Sequence, residues 1–155
     1  MLYSEKLSIL ERTFSQVKDY AEKFPPELVK KKPDEKAFSA NEIIYHLLEV
    51  EELWQRRIHL LLHETYPHFQ QIDPDALAKA GAYNEKPFAE GISLWKASRE
   101  ETIDLIEAMS EDQKTKTGVH SRYGEMNIYR IVDIMADHDL QHLRQLERTL
   151  NSMKK

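Results

Sequence analysis

Two histidines four residues apart, His138 and His142, are the residues of this chain whose type and spacing best suit chemistry. On an α-helix, that spacing places both imidazoles on one face, where they can bind a single metal ion. At about 100° per residue, the pair falls on the same side as Ile131 and Met135, which is the side expected to face the core. The pattern therefore predicts a metal site, with two hydrogen-bonded core histidines as the alternative.

A third histidine, His46, strengthens the metal interpretation. It lies in an apolar-periodic segment, near the edge of the stripe that faces inward. Burying three imidazoles costs free energy unless each finds a partner, and one metal ion would be a partner for all three. Three neutral ligands would also leave positions for water or substrate, as in catalytic sites. We therefore predict one divalent metal ion on His46, His138 and His142; zinc and nickel are favoured, although imidazole ligands alone do not select the metal.

Asp139 and Gln145 are predicted to orient the ligand imidazoles. Asp139 lies near the centre of the apolar stripe, where an unpaired carboxylate would be costly. Gln145 follows His142 by one helical turn on the same side. Either side chain could accept a hydrogen bond from the second ring nitrogen of a ligand histidine. The alternative for Asp139 is a position at a hydrated end of the protein.

The other histidines are less informative. His59 and His63 are also four residues apart, but their helical phase places them opposite the apolar stripe, so we predict that they lie at the surface. His120 stands near Arg122 and Tyr123 in a segment before the last helix. An ordinary loop residue is the simpler interpretation of His120. The alternative is that His120, Arg122 and Tyr123 contact substrate near an open metal position.

Several other chemistries lack their residues. The chain has no cysteine, so disulfides, thiolate metal sites and a cysteine nucleophile are excluded. Thiol chemistry would need a thiol supplied by a substrate. His63 and Glu64 begin a zincin motif, but Pro67 stands where its second histidine should be. The single acidic-x-x-His pair falls short of the two Glu-x-x-His motifs of a di-iron bundle.

Four long segments with helical apolar periodicity must position these side chains. Ser39 and Glu42 have the spacing of a capping box and mark the start of the second segment. Four amphipathic helices of similar length favour an all-α four-helix bundle. The predicted helices cover residues 3–24, 40–65, 88–109 and 127–150.

Two connections between the predicted helices are long. Residues 66–87 are polar and contain prolines, with a short helix predicted at 75–80. Residues 117–126 contain two glycines and are predicted to form a small hairpin or an ordered loop. The chain of 155 residues shows no interdomain linker, so we predict a single domain over residues 1–155.

The charge balance restricts the class of partner. The formal net charge is −5, and the only basic run, at residues 30–32, is followed at once by Asp34 and Glu35. These features argue against a nucleic-acid partner. No stretch approaches the roughly 18 apolar residues of a membrane span. We therefore expect a soluble, cytoplasmic protein.

The segments that carry the histidines resemble those of the DinB/YfiT-like family. Residues 38–54 read FSANEIIYHLLEVEELW and are similar to the second-helix segment of that family. Residues 138–145 read HDLQHLRQ and resemble its H-[D/E]-x-x-H-x-x-Q segment. The stretch YGEMN at residues 123–127 resembles the loop before its last helix.

The resemblance implies a four-helix bundle with a long crossover connection and a metal on His46, His138 and His142. Relatives of known activity include thiol S-transferases that use bacillithiol or mycothiol, and some relatives form dimers. The resemblance thus implies a metal-dependent thiol S-transferase that acts on small electrophiles, with a low-molecular-weight thiol as cosubstrate and a homodimer as its assembly. One alternative is a metal-dependent hydrolase, in which water replaces the thiol. Two others are a bundle that binds a metal or small ligand without catalysis and a metal-free helical interaction module with three ordinary buried histidines.

Overall fold

The protein is a four-helix bundle to which a small three-stranded sheet is added. A computed structural model describes residues 3–154, so the predicted domain limits, 1 and 155, lie outside the described residues. The helices are α1 (Tyr3–Glu22), α2 (Ala40–His63), α3 (Pro74–Gly81), α4 (Phe88–Glu107), α5 (Glu111–Lys114) and α6 (Ile128–Met153), and the strands are β1 (His68–Phe69), β2 (Gly118–His120) and β3 (Gly124–Met126). Single turns of 3₁₀-helix occur at Pro26–Leu28 and Tyr83–Glu85.

The helix boundaries follow local signals in the sequence. At the start of α2, Ser39 accepts a hydrogen bond from the Glu42 backbone and the Glu42 side chain accepts one from the Ser39 backbone, which confirms the predicted capping box. Asn127 caps α6 by accepting from the backbone N–H of Arg130. Three of the four long helices begin at the predicted residue, and all other ends lie within three residues of the predicted ones. The hairpin predicted between the third and fourth long helices is also present, as β2 and β3.

Helices α2 and α4 are parallel neighbours. Glu51 of α2 bonds Trp95 of α4, and Gln55 of α2 bonds Thr102 of α4, so the residue numbers rise together along both helices. Because parallel neighbours cannot be joined by a tight turn, the chain must return along the bundle between them. Residues 64–87 make this crossover, and they contain β1 and the short helix α3.

Helices α1 and α6 form a second parallel pair. Lys6 of α1 contacts Asp133 of α6 at 2.7 Å, and Thr13 of α1 bonds Asp139 of α6 at 2.6 Å. Helix α6 also packs against α2, and α1 against α4. The first and last long helices are therefore direct neighbours, although most of the chain separates them.

Two large apolar clusters fill the bundle, and a third, smaller one packs Tyr45 against Ala78 and Tyr83. One of the large clusters surrounds Trp54 and Ile131, and the other surrounds Trp95 and Leu146. Within the described residues, the structure contains no helix with the length and apolar character needed to cross a membrane.

The sheet joins the two long connections. Strand β1, from the crossover, pairs in parallel with β2, and β2 pairs antiparallel with β3. In this register Phe69 lies beside His120, and His120 lies opposite Gly124. The sheet therefore holds the segment that carries His120 against the crossover.

Candidate metal centre

Three histidines from two helices meet inside the bundle. Nε2 of His138 lies 3.1 Å from Nε2 of His46 and 3.0 Å from Nε2 of His142. The ligand atoms of the three residues all lie within 4.8 Å of one another. His46 comes from the middle of α2, and the other two come from successive turns of α6. The packing of α2 against α6 thus gathers side chains that are 92 residues apart in sequence.

Ordinary hydrogen bonds cannot account for both of the short contacts among the three Nε2 atoms. Nδ1 of His142 lies 2.6 Å from the Gln145 side-chain oxygen, which can only accept, so Nδ1 carries the proton and Nε2 of neutral His142 has a free lone pair. Nε2 of His138 has at most one proton to donate, yet it faces two ring nitrogens at hydrogen-bond distance. At most one of the two short contacts can therefore be an ordinary hydrogen bond. A cation between the rings would accept a lone pair from all three.

The nitrogen separations also fit a metal ion. Zinc–imidazole bonds of about 2.0–2.1 Å in tetrahedral geometry put ligand nitrogens about 3.3 Å apart. The two short separations here, 3.1 and 3.0 Å, differ from that value by a few tenths of an ångström. Two of the three separations therefore match a divalent ion such as zinc, and the third is no more than 4.8 Å.

Burial keeps the three imidazoles neutral. It lowers the pKa of His46 to about 3, and the neighbouring His142 contributes to that shift. Burial also lowers the pKa of His138 well below its ordinary value, aided by the two other imidazoles and by Arg99. The pKa of His142 is lowered by burial as well, although Gln145 and Asp139 oppose the shift. Neutral imidazoles keep the lone pairs that a metal ion requires.

The ring orientations are fixed in different ways. Gln145 holds His142 through the 2.6 Å hydrogen bond, as its position in the sequence predicts. His46 is buried, and among the described residues its Nδ1 has no hydrogen-bond partner. Its ring is instead held by packing, with the Phe38 ring 5.8 Å away between centroids.

Asp139 has a different role from the predicted one. It is buried, which removes the alternative of a hydrated end, but its hydrogen bonds go to Thr13 and Arg99 rather than to an imidazole. Arg99 also bonds Glu51, so one guanidinium bridges two buried carboxylates. Burial alone would lower the pKa of Arg99, but the two carboxylates outweigh it and raise that pKa. This ion cluster connects α1, α2, α4 and α6 immediately beside His138.

The three histidines line a cavity of about 410 Å³. Its walls come from α2, α6, the crossover, the β2–β3 hairpin and residues 36–38 of the segment before α2. Apolar and aromatic side chains form part of the wall, together with Gln145 and all three of the predicted contact residues, His120, Arg122 and Tyr123. Pockets of this size accept small organic molecules. The structure thus places every sequence-predicted site residue except Asp139 around one cavity.

His120 is not an ordinary loop residue. Only 2% of its surface is exposed, and its ring lies parallel to that of Trp54 at 6.1 Å. Its Nδ1 accepts hydrogen bonds from the backbone N–H groups of Arg122 and Tyr123. Because burial and the neighbouring Arg57 and Arg122 lower the pKa of His120, the ring is neutral, and its single proton lies on Nε2. His59 and His63, in contrast, are exposed, as their helical phase predicts.

Sequence reasoning overlooked Arg57, which also lines the cavity. Arg57 follows His46 by 11 residues, and three turns of helix bring it back to within about 20° of the same phase. That phase was a usable signal for an arginine on the site-facing side of α2. No comparable signal pointed to Arg130, a further cavity residue that the sequence analysis did not single out.

The fold matches several solved structures. YfiT from Bacillus subtilis, a probable metal-dependent hydrolase with an unusual four-helix bundle topology, superposes with a TM-score of 0.85 at 13% identity, over 99% of this chain and 90% of that one. A DinB-like protein from Bacillus subtilis, YjoA, matches with a TM-score of 0.66 at 17% identity, over 97% and 93% of the two chains. At these identities, the likeness establishes the fold.

A third similar structure is a mycothiol-dependent maleylpyruvate isomerase, with a TM-score of 0.75 at 14% identity over 94% of this chain. This chain spans only 61% of that enzyme's length. No curated protein sequence matches the chain. The sequence model of the DinB superfamily matches residues 9–146, which is most of the chain. The chain therefore belongs to the DinB superfamily.

Proposed function

We propose that this protein is a metal-dependent enzyme that acts on a small molecule, with His46, His138 and His142 holding one divalent ion. The observation that supports this proposal is the convergence of three Nε2 atoms, at 3.0 and 3.1 Å, in the wall of a 410 Å³ cavity. Three protein ligands leave room for a further ligand. When bound, a divalent ion would lower the pKa of a coordinated thiol or water, so that a thiolate or hydroxide is available as the nucleophile near neutral pH.

The first reaction to test is thiol S-transfer to a small electrophile. The chain has no cysteine, so the thiol would have to come from a cosubstrate. The likeness to a mycothiol-dependent isomerase supports this choice. Hydrolysis is the second candidate, because the likeness to YfiT extends over nearly the full length of both chains.

The protein side chains have defined roles in either reaction. Gln145 fixes the proton of His142 on Nδ1 and so directs the Nε2 lone pair toward the other two histidines. Nε2–H of His120 is available to donate a hydrogen bond to a substrate oxygen, because Nδ1 is occupied by two backbone donors. Trp54 and Phe38 line the same cavity and would keep bulk water from the reacting groups.

Elemental analysis tests the metal site. Untagged wild-type protein should contain about one equivalent of metal, and His142→Ala should lose it. His59→Ala is the matched control, because His59 is an exposed histidine on α2 and should leave the metal content unchanged. Absence of metal from the wild type, even after incubation with zinc or nickel and desalting, would overturn the proposal.

Turnover separates the two reactions. The metal-loaded protein should be assayed with a fluorogenic electrophile and a panel of thiols that includes bacillithiol, mycothiol and cysteine, and separately with ester and amide substrates without thiol. Rates that require a thiol and are lost in His142→Ala support S-transfer. Thiol-independent cleavage supports hydrolysis. Metal binding with no turnover of any substrate would instead indicate a binding protein.

A further inference from the structure

Arg57 is a buried cation that makes no ion pair with any residue that the structure describes. Only 6% of its surface is exposed. Among the residues that the structure describes, no acidic side chain forms an ion pair with it, whereas buried Arg99 has two. Buried charges are almost always paired, because leaving one unpaired is costly. Arg57 therefore stands out as a buried positive charge without an acidic partner in the part of the chain that the structure describes.

The contacts of Arg57 hold it in place without neutralising it. One Nη2–H donates to the backbone oxygen of Gln70 at 2.6 Å. The guanidinium lies over the Trp54 ring at 4.5 Å and near the Phe69 ring at 5.7 Å. Burial lowers the pKa of Arg57 to about 10, so the group is still charged at neutral pH. One carbonyl and two rings leave most of its five N–H donors available.

The surroundings of Arg57 in the cavity also favour an anion. The His120 ring lies 6.1 Å from the Trp54 ring, and the Arg57 guanidinium lies 4.5 Å from that same ring. Both side chains line the cavity, and the single proton of His120 is on Nε2, since Nδ1 accepts two backbone hydrogen bonds. The cavity as a whole has more positive than negative side chains, although the chain has a net charge of −5. The positive side chains are Lys36, Arg57, Arg122 and Arg130, and the negative ones are Asp75 and Asp137.

We propose that Arg57 and His120 form an anion-binding subsite in the metal cavity, so that the substrate is a small organic molecule carrying a carboxylate, phosphate or sulfonate group. The planar guanidinium fork suits such oxyanions, which it can bind through two parallel hydrogen bonds. Nε2–H of His120 supplies a further donor. This proposal deepens the proposed function, on which it depends for the role of the cavity as the substrate site.

Benzoate and benzamide test the proposal, because they have nearly the same shape and differ in charge. Binding of each to the wild type should be measured by calorimetry, in zinc-loaded protein and in chelator-treated protein. In the chelator-treated form benzoate cannot gain affinity by coordinating a metal. There we expect benzoate to bind about tenfold or more tightly than benzamide, the value of one charge-assisted hydrogen-bond pair. Equal affinities, or no saturable benzoate binding at millimolar concentration, would overturn the proposal.

Variants then assign the preference to Arg57. Arg57→Met should abolish the preference for benzoate, while Arg56→Met should retain it, since Arg56 is an exposed arginine that does not line this cavity. Arg57→Lys keeps the charge and should keep part of the preference; it replaces Arg57→Met if the latter does not fold. Retention of the full preference in Arg57→Met, or an equal loss in Arg56→Met, would contradict the assignment. Because the readout is binding without metal, it is independent of the metal-content and turnover tests of the proposed function.

Discussion

Gln145→Leu should weaken metal binding without removing any ligand. The side-chain oxygen of Gln145 accepts a hydrogen bond from Nδ1–H of His142 at 2.6 Å, the shortest side-chain hydrogen bond of the three histidines among the described residues. Leucine has a similar volume and no acceptor. The variant would leave the Nδ1–H of a metal-bound imidazole unsatisfied, and it would allow the proton to move to Nε2, where it blocks the lone pair.

The expected magnitude follows from the difference between the bound and free states. The hydrogen bond is present whether or not a metal is bound, so it contributes to affinity in two ways: it strengthens on ligation, and it keeps the proton of free His142 off Nε2. Ligation makes the N–H more acidic, and loss of such partners typically lowers metal affinity by about 10–100-fold, which corresponds to roughly 1.4–2.8 kcal/mol. The His142 ligand remains, so the loss should be smaller than that in His142→Ala.

Competition titration against a fluorescent zinc chelator at fixed pH measures this difference. Gln141→Leu is the matched control, because Gln141 lies one turn earlier on α6, lines the same cavity and makes no described hydrogen bond to an imidazole. We expect a wild-type affinity for that control. A change of less than about threefold in Gln145→Leu, well below the usual effect of such a partner, would refute the reasoning, as would an equal loss in the control.

Two further predictions concern the framework of the site. Arg99→Met leaves two buried carboxylates without their cation and should lower the free energy of unfolding by about 3–5 kcal/mol. The control Lys96→Met, at an exposed position on the same helix, should change the free energy of unfolding by no more than about 0.5 kcal/mol. Similar urea midpoints for the two variants would contradict this prediction. Gly118→Ala would place a Cβ 2.7 Å from the Pro67 backbone oxygen and should cost about 1–3 kcal/mol; an unchanged melting temperature would show that the sheet yields without strain.

Much of the fold could be predicted from sequence because helical periodicity is a local property. The stripe of each long helix, the capping box at Ser39 and the prolines that follow α1 and α2 indicate the helices and their ends. Phase also placed His46, His138 and His142 on inward-facing stripes, and the cost of burying three imidazoles without a partner predicted that they share one.

The ion cluster and the sheet could not be predicted in the same way. Asp139 could be placed in the core, but its partner Arg99 is 40 residues away on another helix, and nothing in the local pattern of α4 joins the two. The strand pairing of β1 with β2 brings together residues 68–69 and 118–120, which are too short to have a periodicity. The ion cluster and the β1–β2 pairing both depend on how the helices pack. The burial of His120 depends in turn on that strand pairing.

The sheet joins the crossover to the β2–β3 hairpin through backbone hydrogen bonds. The backbone N–H of Val119 bonds the oxygen of Pro67 at 2.9 Å, and that of Ser121 bonds the oxygen of Phe69 at 2.8 Å. One wall of the cavity is thus built from two segments that cannot move or change length independently. Redesign of specificity in this protein would therefore require exchanging the crossover and the hairpin together, since a graft of either segment alone would break the backbone pairing on which the other depends.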